Sequence, residues 1–561
     1  MPTLTIDGEA VEVPPGTNLI EAARRLGIEV PHYCYHPGLP IAGACRLCMV
    51  DIEKFPRPQI ACNTVAADGM VVQTQTPRVL ETRRSVMEWH LVNHPLDCPV
   101  CDQAGECWLQ IYYMQHGLYE PRMIDDKVHK PKAVPIGPHV MLDAERCILC
   151  SRCVRFCDHV SKTGELGIFH RGDHSEIGVF PGAELANPYS GNVIDICPVG
   201  ALTDRDFRFQ VRVWYLDRVK SICPGCARGC DIEVHVNLRR THHAQGRRVA
   251  RLKPRFNGDV NQWWMCDAGR YGFHDLDAPT RLRLPELSVG GGRRAVGWAE
   301  AVGALAQRLA AAGPERIGVL LSPRMANEDL WLAWKLFLEP PGLGSVDFRV
   351  PPREPGFADD FLIRADKHPN TRGAELIGCA PAGERDGAHV LQAARAGELS
   401  VLWVFGHDLL GSGWPEAEVR AALERVPCLV FQGTNANATS ARAHLVLPSA
   451  AYVEREGTFT NEDGRVQRFW KAVDPLGEAR PDWEVLAEVG RALGHDWRPV
   501  RAEHLFRELV ARVPAFAGLT YRALGDQGAL VPGASAGVGG GVGVPPSPLG
   551  VGGVGGAGGP A

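Results

Sequence analysis

Sixteen of the eighteen cysteines in this 561-residue chain lie before Asp267, and almost all of them fall into groups. The groups are Cys34, Cys45, Cys48 and Cys62; then Cys98, Cys101 and Cys107 behind His94; then a run from Cys147 to Cys157 with a late Cys197; then Cys223, Cys226 and Cys230 with Cys266. Thiolates gathered at such spacings suit iron–sulfur clusters. Iron would be held through these cysteines and His94.

Ahead of the first set, Thr3-Leu4-Thr5-Ile6 and Glu9-Ala10-Val11-Glu12-Val13 alternate around Asp7-Gly8, the pattern of a β-hairpin. A short helix is expected to start at Asn18-Leu19-Ile20-Glu21-Ala22-Ala23. Gly43 and Ala44 stand beside Cys45-Arg46-Leu47-Cys48, where small residues let backbone N–H groups close over sulfur. Hairpin, helix and Cys-rich loop resemble a plant-type [2Fe–2S] ferredoxin domain, although the loop spacing departs from the plant pattern. A four-thiolate zinc site is the alternative; zinc sites usually pair two Cys-x-x-Cys knuckles.

In the second set His94 stands just before the loop that carries Cys98, Cys101 and Cys107, where an imidazole can supply the fourth ligand. Replacing a thiolate by a neutral imidazole leaves a cluster less negative and raises its potential, the direction known for histidine-ligated Rieske centres. Zinc on the same four ligands is the competing reading.

The third set, Cys147-Ile148-Leu149-Cys150-Ser151-Arg152-Cys153-Val154-Arg155-Phe156-Cys157, repeats the bacterial ferredoxin run, and its Cys-Pro pair arrives only at Cys197-Pro198. Counting back from Cys197 gives Val193, Ser190 and Asn187, so a second cluster has lost its other ligands. One cluster is expected on Cys147, Cys150, Cys153 and Cys197, with Cys157 left over as a small buried hydrophobe. The competing assignment takes Cys157 as the fourth ligand. In the fourth set, Cys223, Cys226 and Cys230 with distant Cys266 flank an alternating strand, Asp231-Ile232-Glu233-Val234-His235-Val236. That arrangement resembles the [4Fe–4S] subdomain at the start of molybdopterin oxidoreductases, and zinc is a stronger rival here.

The whole series, with Gly105-Glu106-Cys107-Trp108-Leu109-Gln110 and Ser190-Gly191-Asn192-Val193-Ile194-Asp195-Ile196-Cys197-Pro198-Val199-Gly200-Ala201-Leu202, closely resembles the large iron–sulfur subunit of NADH:quinone oxidoreductase, or respiratory complex I, from about Met1 to Tyr271. The remainder is similar to a molybdopterin-family α/β domain cut short. Arg316-Ile317-Gly318-Val319-Leu320-Leu321, Val401-Leu402-Trp403-Val404-Phe405-Gly406, Cys428-Leu429-Val430-Phe431 and His444-Leu445-Val446-Leu447-Pro448 read as buried parallel strands, with a helix over Trp298 to Ala312. Glu456-Gly457-Thr458-Phe459-Thr460-Asn461-Glu462-Asp463-Gly464-Arg465 matches a loop that lies near the pterin in molybdenum enzymes; here it is assigned a structural role and no molybdopterin is expected. Cys379 stands in the region where a molybdenum ligand would be sought, but its surroundings, Ile377-Gly378-Cys379-Ala380-Pro381, argue weakly for one.

The fold class is thus multidomain, α+β and α/β. A β-grasp [2Fe–2S] ferredoxin domain is expected at 1–77, a histidine-ligated [4Fe–4S] domain at 78–118 and a ferredoxin-like [4Fe–4S] domain at 119–215. A molybdopterin-oxidoreductase-type [4Fe–4S] subdomain at 216–272 and a truncated molybdopterin-oxidoreductase-like α/β domain at 273–515 follow, then a Gly-rich disordered tail at 516–561.

The resemblance implies an electron-transfer subunit that takes electrons from an NADH-binding flavoprotein subunit and passes them through its clusters to a two-cluster ferredoxin-like subunit that feeds quinone. Other peripheral-arm subunits would complete the assembly, which sits on the cytoplasmic face of the cell membrane, and the fourth cluster would lie off the route. No Gly-x-Gly-x-x-Gly fingerprint precedes a helix, so neither NADH binding nor a catalytic residue is expected in this chain. A net charge of −5 points to no nucleic-acid partner. No apolar stretch is long enough for a bilayer and Met1 leads directly into the hairpin, so an intracellular chain without membrane insertion is expected. Three other readings stay open: a subunit of a molybdenum-dependent formate dehydrogenase, an [FeFe] hydrogenase, and a non-catalytic zinc scaffold.

Overall fold

Asp7 and Gly8 both take positive φ, 49° and 91°, the requirement of a two-residue turn whose twist matches its strands. That turn closes β1 (Thr3–Ile6) onto β2 (Glu9–Glu12) as the alternation predicts. The computed structural model describes residues 1–120, 122–290, 292–339, 342–380 and 387–534. Two compact units part between Trp214 and Tyr215.

In the first unit, β3 (Met49–Ile52), β4 (Gln59–Ile60) and β5 (Val71–Gln73) complete a mixed five-stranded sheet of order β2-β1-β5-β3-β4. The expected short helix is α1 (Leu19–Arg25), started by the Asn18 side chain, which accepts from the Glu21 N–H at 3.0 Å. Its buried Leu19, Ile20, Ala22 and Ala23 pack with Leu4, Ile6, Val50 and Val72. Thr76 caps α2 (Pro77–Leu91), which has Pro77 in its first turn. Downstream come α3 (Trp108–His116), α4 (Arg152–His159) and α5 (Asn192–Ile196), with a three-stranded sheet of Leu202–Asp204, Val140–Leu142 and Val134–Pro135.

The second unit opens with three antiparallel strands, Asp217–Ile222, Asp231–Val236 and Val249–Pro254, followed by α6 (Asp267–Tyr271). Its seven-stranded sheet holds a parallel core of Ser345–Asp347, Ile317–Leu320, Val401–Phe405, Cys428–Gly433 and Leu445–Pro448 in that spatial order. In chain order this is 2-1-3-4-5, a doubly wound sheet whose order reverses beside Ile317–Leu320. The four expected strands are all present, and α7 (Trp298–Ala312) has the expected span. Trp331, Trp403 and Phe405 lie in one buried cluster on one side of this sheet.

The tail expected from residue 516 starts too early. Phe516, Tyr521, Leu524 and Val531 are buried in the second unit, and a strand at Ala529–Leu530 pairs with Arg465–Phe469. The folding signal there is a sparse set of apolar residues among polar ones, which composition averages away; the Gly-rich stretch from 535 on lies outside the described residues. Among the described residues no helix is long and apolar enough to cross a membrane.

Candidate functional site

Cys34, Cys45, Cys48 and Cys62 are all buried, and they meet as two pairs, Cys34 with Cys45 and Cys48 with Cys62. Left-handed backbone at Gly43 (φ 62°) and Arg46 (φ 58°) curls the loop so that its N–H groups face sulfur. Cys34 accepts from the N–H groups of Cys45 and Ala44, and Cys45 from Tyr33 N–H at 3.4 Å. The hydrogen bond from the Cys45 thiol holds the Cys34 pKa down at about 5, and the same bond raises Cys45.

His94 follows the C-terminal end of α2, and Cys107 immediately precedes α3. His94, Cys98, Cys101 and Cys107 line one cavity together with Asp97, Arg146 and Gly200. The His94 Nδ1 is buried there, with no hydrogen-bond partner among the described residues. Burial, then the charge of Arg146, lowers its pKa to about 4, so the imidazole is neutral and has a lone pair to offer. Burial pushes Cys107 up to about 11.

Cys147, Cys150, Cys153 and Cys197 line a separate cavity walled by Leu142, Ile148, Ile177 and Val199. Left-handed Leu149 (φ 53°) and Ser151 (φ 57°) turn the chain between the ligands, and Leu149 N–H donates to the Cys147 sulfur at 3.4 Å. Three N–H groups, of Val199, Leu202 and Ala201, aim at Cys197. Cys157 does not line this cavity; it is fully buried on α4, where its sulfur meets Leu166 N–H and the Ser161 hydroxyl. Burial pushes Cys147 and Cys197 up to about 12.

Cys223, Cys226 and Cys230 lie in the loop that joins Asp217–Ile222 to Asp231–Val236, closed at its base where Cys223 N–H donates to Cys230 O at 2.8 Å. Cys266 caps α6 through its sulfur, which accepts from Gly269 N–H at 3.4 Å. Cys223, Cys226, Cys230 and Cys266 lie within electrostatic reach of one another. A Cβ at Gly269 would stand 2.9 Å from the Cys223 sulfur, so only glycine lets α6 pass so close. The loop assigned a structural role clamps this set, Asn461 donating to Arg228 O at 3.3 Å and Glu462 N–H to Ala227 O at 2.9 Å, and Gln467 in the strand that follows donates to Gly229 O at 2.9 Å. Cys379, placed where a molybdenum ligand would be sought, is buried in the sheet's core cluster.

Reading the sequence alone misses Arg152 and Arg155, which look like ordinary polar residues between cysteines yet are 7% and 9% exposed. It also misses Gly200 and Gly269; a glycine following a ligand cysteine within three residues is the signal that marks both. Arg228, 3% exposed and bonded to Val260 O at 2.8 Å, carries no comparable signal.

Five family descriptions match in series. A 2Fe-2S iron-sulfur cluster binding domain matches residues 1–77 and the NADH-ubiquinone oxidoreductase-G iron-sulfur binding region matches 83–122. The ferredoxin-like domain of NADH-quinone oxidoreductase subunit 3 matches 137–203. The molybdopterin oxidoreductase Fe4S4 domain matches 216–276, and molybdopterin oxidoreductase 372–492. The G subunit of the NADH-quinone oxidoreductase of Rickettsia felis is 30% identical in an alignment that covers 88% of this chain and 88% of its own. That of Streptomyces coelicolor is 40% identical over 69% of this chain but only 45% of its own. The mitochondrial NADH dehydrogenase [ubiquinone] iron-sulfur protein 1 of Solanum tuberosum is 29% identical over 87% of this chain and 80% of its own. By its domains and by its length-spanning relatives, the chain belongs to the G-subunit family of NADH-quinone oxidoreductase.

Proposed function

We propose that this chain is the iron–sulfur electron-transfer subunit of an NADH-quinone oxidoreductase, standing between an NADH-oxidising flavoprotein subunit and a two-cluster ferredoxin-like subunit on the way to quinone. It would be held on the inner face of the membrane through other peripheral-arm subunits. In this reading Cys34, Cys45, Cys48 and Cys62 hold a [2Fe–2S] cluster. His94, Cys98, Cys101 and Cys107 hold one [4Fe–4S] cluster, Cys147, Cys150, Cys153 and Cys197 a second, and Cys223, Cys226, Cys230 and Cys266 a third.

What supports this reading is how the candidates lie: the first set as two thiol pairs, the second and third sets each lining one cavity with Cys157 outside the third, and the fourth set within electrostatic reach of one another. Two thiol pairs side by side fit two irons better than one ion. The neutral His94 nitrogen, without a hydrogen-bond partner among the described residues, would complete the second set. Burial raises Cys107, Cys147, Cys197 and Cys223 as free thiols, so a strongly cationic centre is needed to draw off their protons.

When bound, the clusters supply one-electron carriage at potentials set by their surroundings. The chain's part is to hold each quartet rigidly, exclude water with residues such as Leu142 and Val199, and present N–H groups to sulfur. The test is anaerobic mixing with NADH. The chain alone is expected to stay oxidised and to reduce no artificial acceptor, and to bleach in the visible once the flavoprotein subunit is added. Reduction of an acceptor by NADH and this chain alone would overturn the reading.

A further inference from the structure

Buried arginines normally face carboxylates, and Arg146 does: it meets Asp97 at 2.9 Å and Asp143 at 3.3 Å. Arg152 and Arg155, one turn apart in α4, differ. Among the described residues neither has a carboxylate partner, and their hydrogen bonds run to carbonyl groups and the Ser151 hydroxyl. Arg155 Nη2 donates to Cys34 O at 2.5 Å and to Cys150 O at 3.2 Å, while Nη1 reaches Pro40 O and Nε reaches Ser151 Oγ at 3.1 Å. Arg152 Nη1 donates to Ile196 O at 3.0 Å, and Nη2 to Tyr35 O. One guanidinium therefore touches a cysteine of the first quartet and a cysteine of the third; the other touches the chain neighbours of Cys197 and Cys34.

Two desolvated cations without acids need negative charge nearby, and the groups within reach that are to carry it are the two all-cysteine quartets. We propose that Arg155, supported by Arg152, is a charge shared by two redox centres, bridging Cys34 and Cys150 and raising the potentials of the [2Fe–2S] and the Cys147/Cys197 cluster together. This rests on the ligand reading above. An added electron makes either centre more negative, and a fixed cation at the junction favours that reduced form in both. Because the charge serves both, it holds their potentials high without opening a gap between them. The thiolates of Cys34 and Cys150 are the largest favourable influences on Arg155, and those of Cys150, Cys197 and Cys34 on Arg152.

The experiment is an anaerobic redox titration of the full chain followed by electron paramagnetic resonance, which reads the two centres separately. In Arg155→Gln the reduced-to-oxidised ratio of both centres at a fixed potential should fall by about tenfold, about 59 mV for a one-electron couple. Arg155→Lys, which keeps the charge but loses the fork, should restore both. Unchanged potentials, or a shift confined to one centre, with both signals present, would overturn the inference. If Arg155→Gln does not retain iron, Arg155→Lys decides: both signals at the parent potentials support the shared charge, and loss of both shows a purely structural guanidinium. Absence of either signal from the unmodified chain removes the ligand reading itself, and the inference with it.

Discussion

The backbone at Gly200 passes so close to Cys101 that a Cβ there would stand 2.3 Å from its sulfur. Gly200 follows the ligand candidate Cys197 by three residues, and Cys101 belongs to the His94 quartet. Two stretches far apart in the chain are thus packed together at Cys101, and Trp108 N–H fastens them through Pro198 O at 3.0 Å.

Gly200→Ala pushes Cys101 out of its place. The variant is expected to lose the His94 cluster, about four irons per chain, while keeping the [2Fe–2S] signal. Full iron content with an unaltered spectrum would show that the loop yields without consequence.

His94→Cys supplies a thiolate where an imidazole stood. The cluster should persist with a lower midpoint potential, because the added negative charge disfavours reduction. Redox titration of that single signal checks it; an unmoved potential would mean that His94 is not a ligand.

Cys157 and Cys197 compete on paper for one coordination position. Cys197→Ser is expected to remove or cripple one [4Fe–4S] cluster. Cys157→Ser should keep every cluster and cost about 1 kcal/mol of stability, the usual scale for a buried polar replacement with a partner nearby. Iron analysis of the two proteins separates them, and the reverse pattern would reassign the ligand.

Glu328 is fully buried and accepts hydrogen bonds from Thr458 N–H at 2.9 Å and from the hydroxyls of Thr458 and Tyr521, each at 2.8 Å. Burial pushes its pKa from 4.5 up to about 7. The folded state therefore keeps a proton that the unfolded chain releases: the contribution is fully present below 4.5 and is lost as pH rises through about 7. The loss is about 3 kcal/mol. Glu328→Gln should flatten this part of the melting-temperature profile and be the more stable protein at pH 8; parallel profiles would contradict the assignment.

Much of this site was legible because ligand spacing within one loop is a local property. Cys147 to Cys153 and Cys223 to Cys230 announce themselves, and the parallel strands did so through unbroken apolar runs such as Val401–Phe405. What the chain does not write locally is how distant loops meet. Arg155 sits 121 residues from the carbonyl of Cys34 that it bonds, and Gln467 sits 238 from the Gly229 carbonyl that it holds. Residues of that kind have ordinary sequence surroundings and gain their meaning only from packing. Phe516 and Val531 escaped for a related reason, since their buried neighbours lie in other elements.

The most direct test of the account is the metal content of anaerobically purified protein, with iron, zinc and molybdenum measured together. Four clusters on the four quartets predict about fourteen irons per chain and no stoichiometric molybdenum. Zinc in place of iron would contradict electron transfer altogether, and one molybdenum per chain would make this a catalytic subunit.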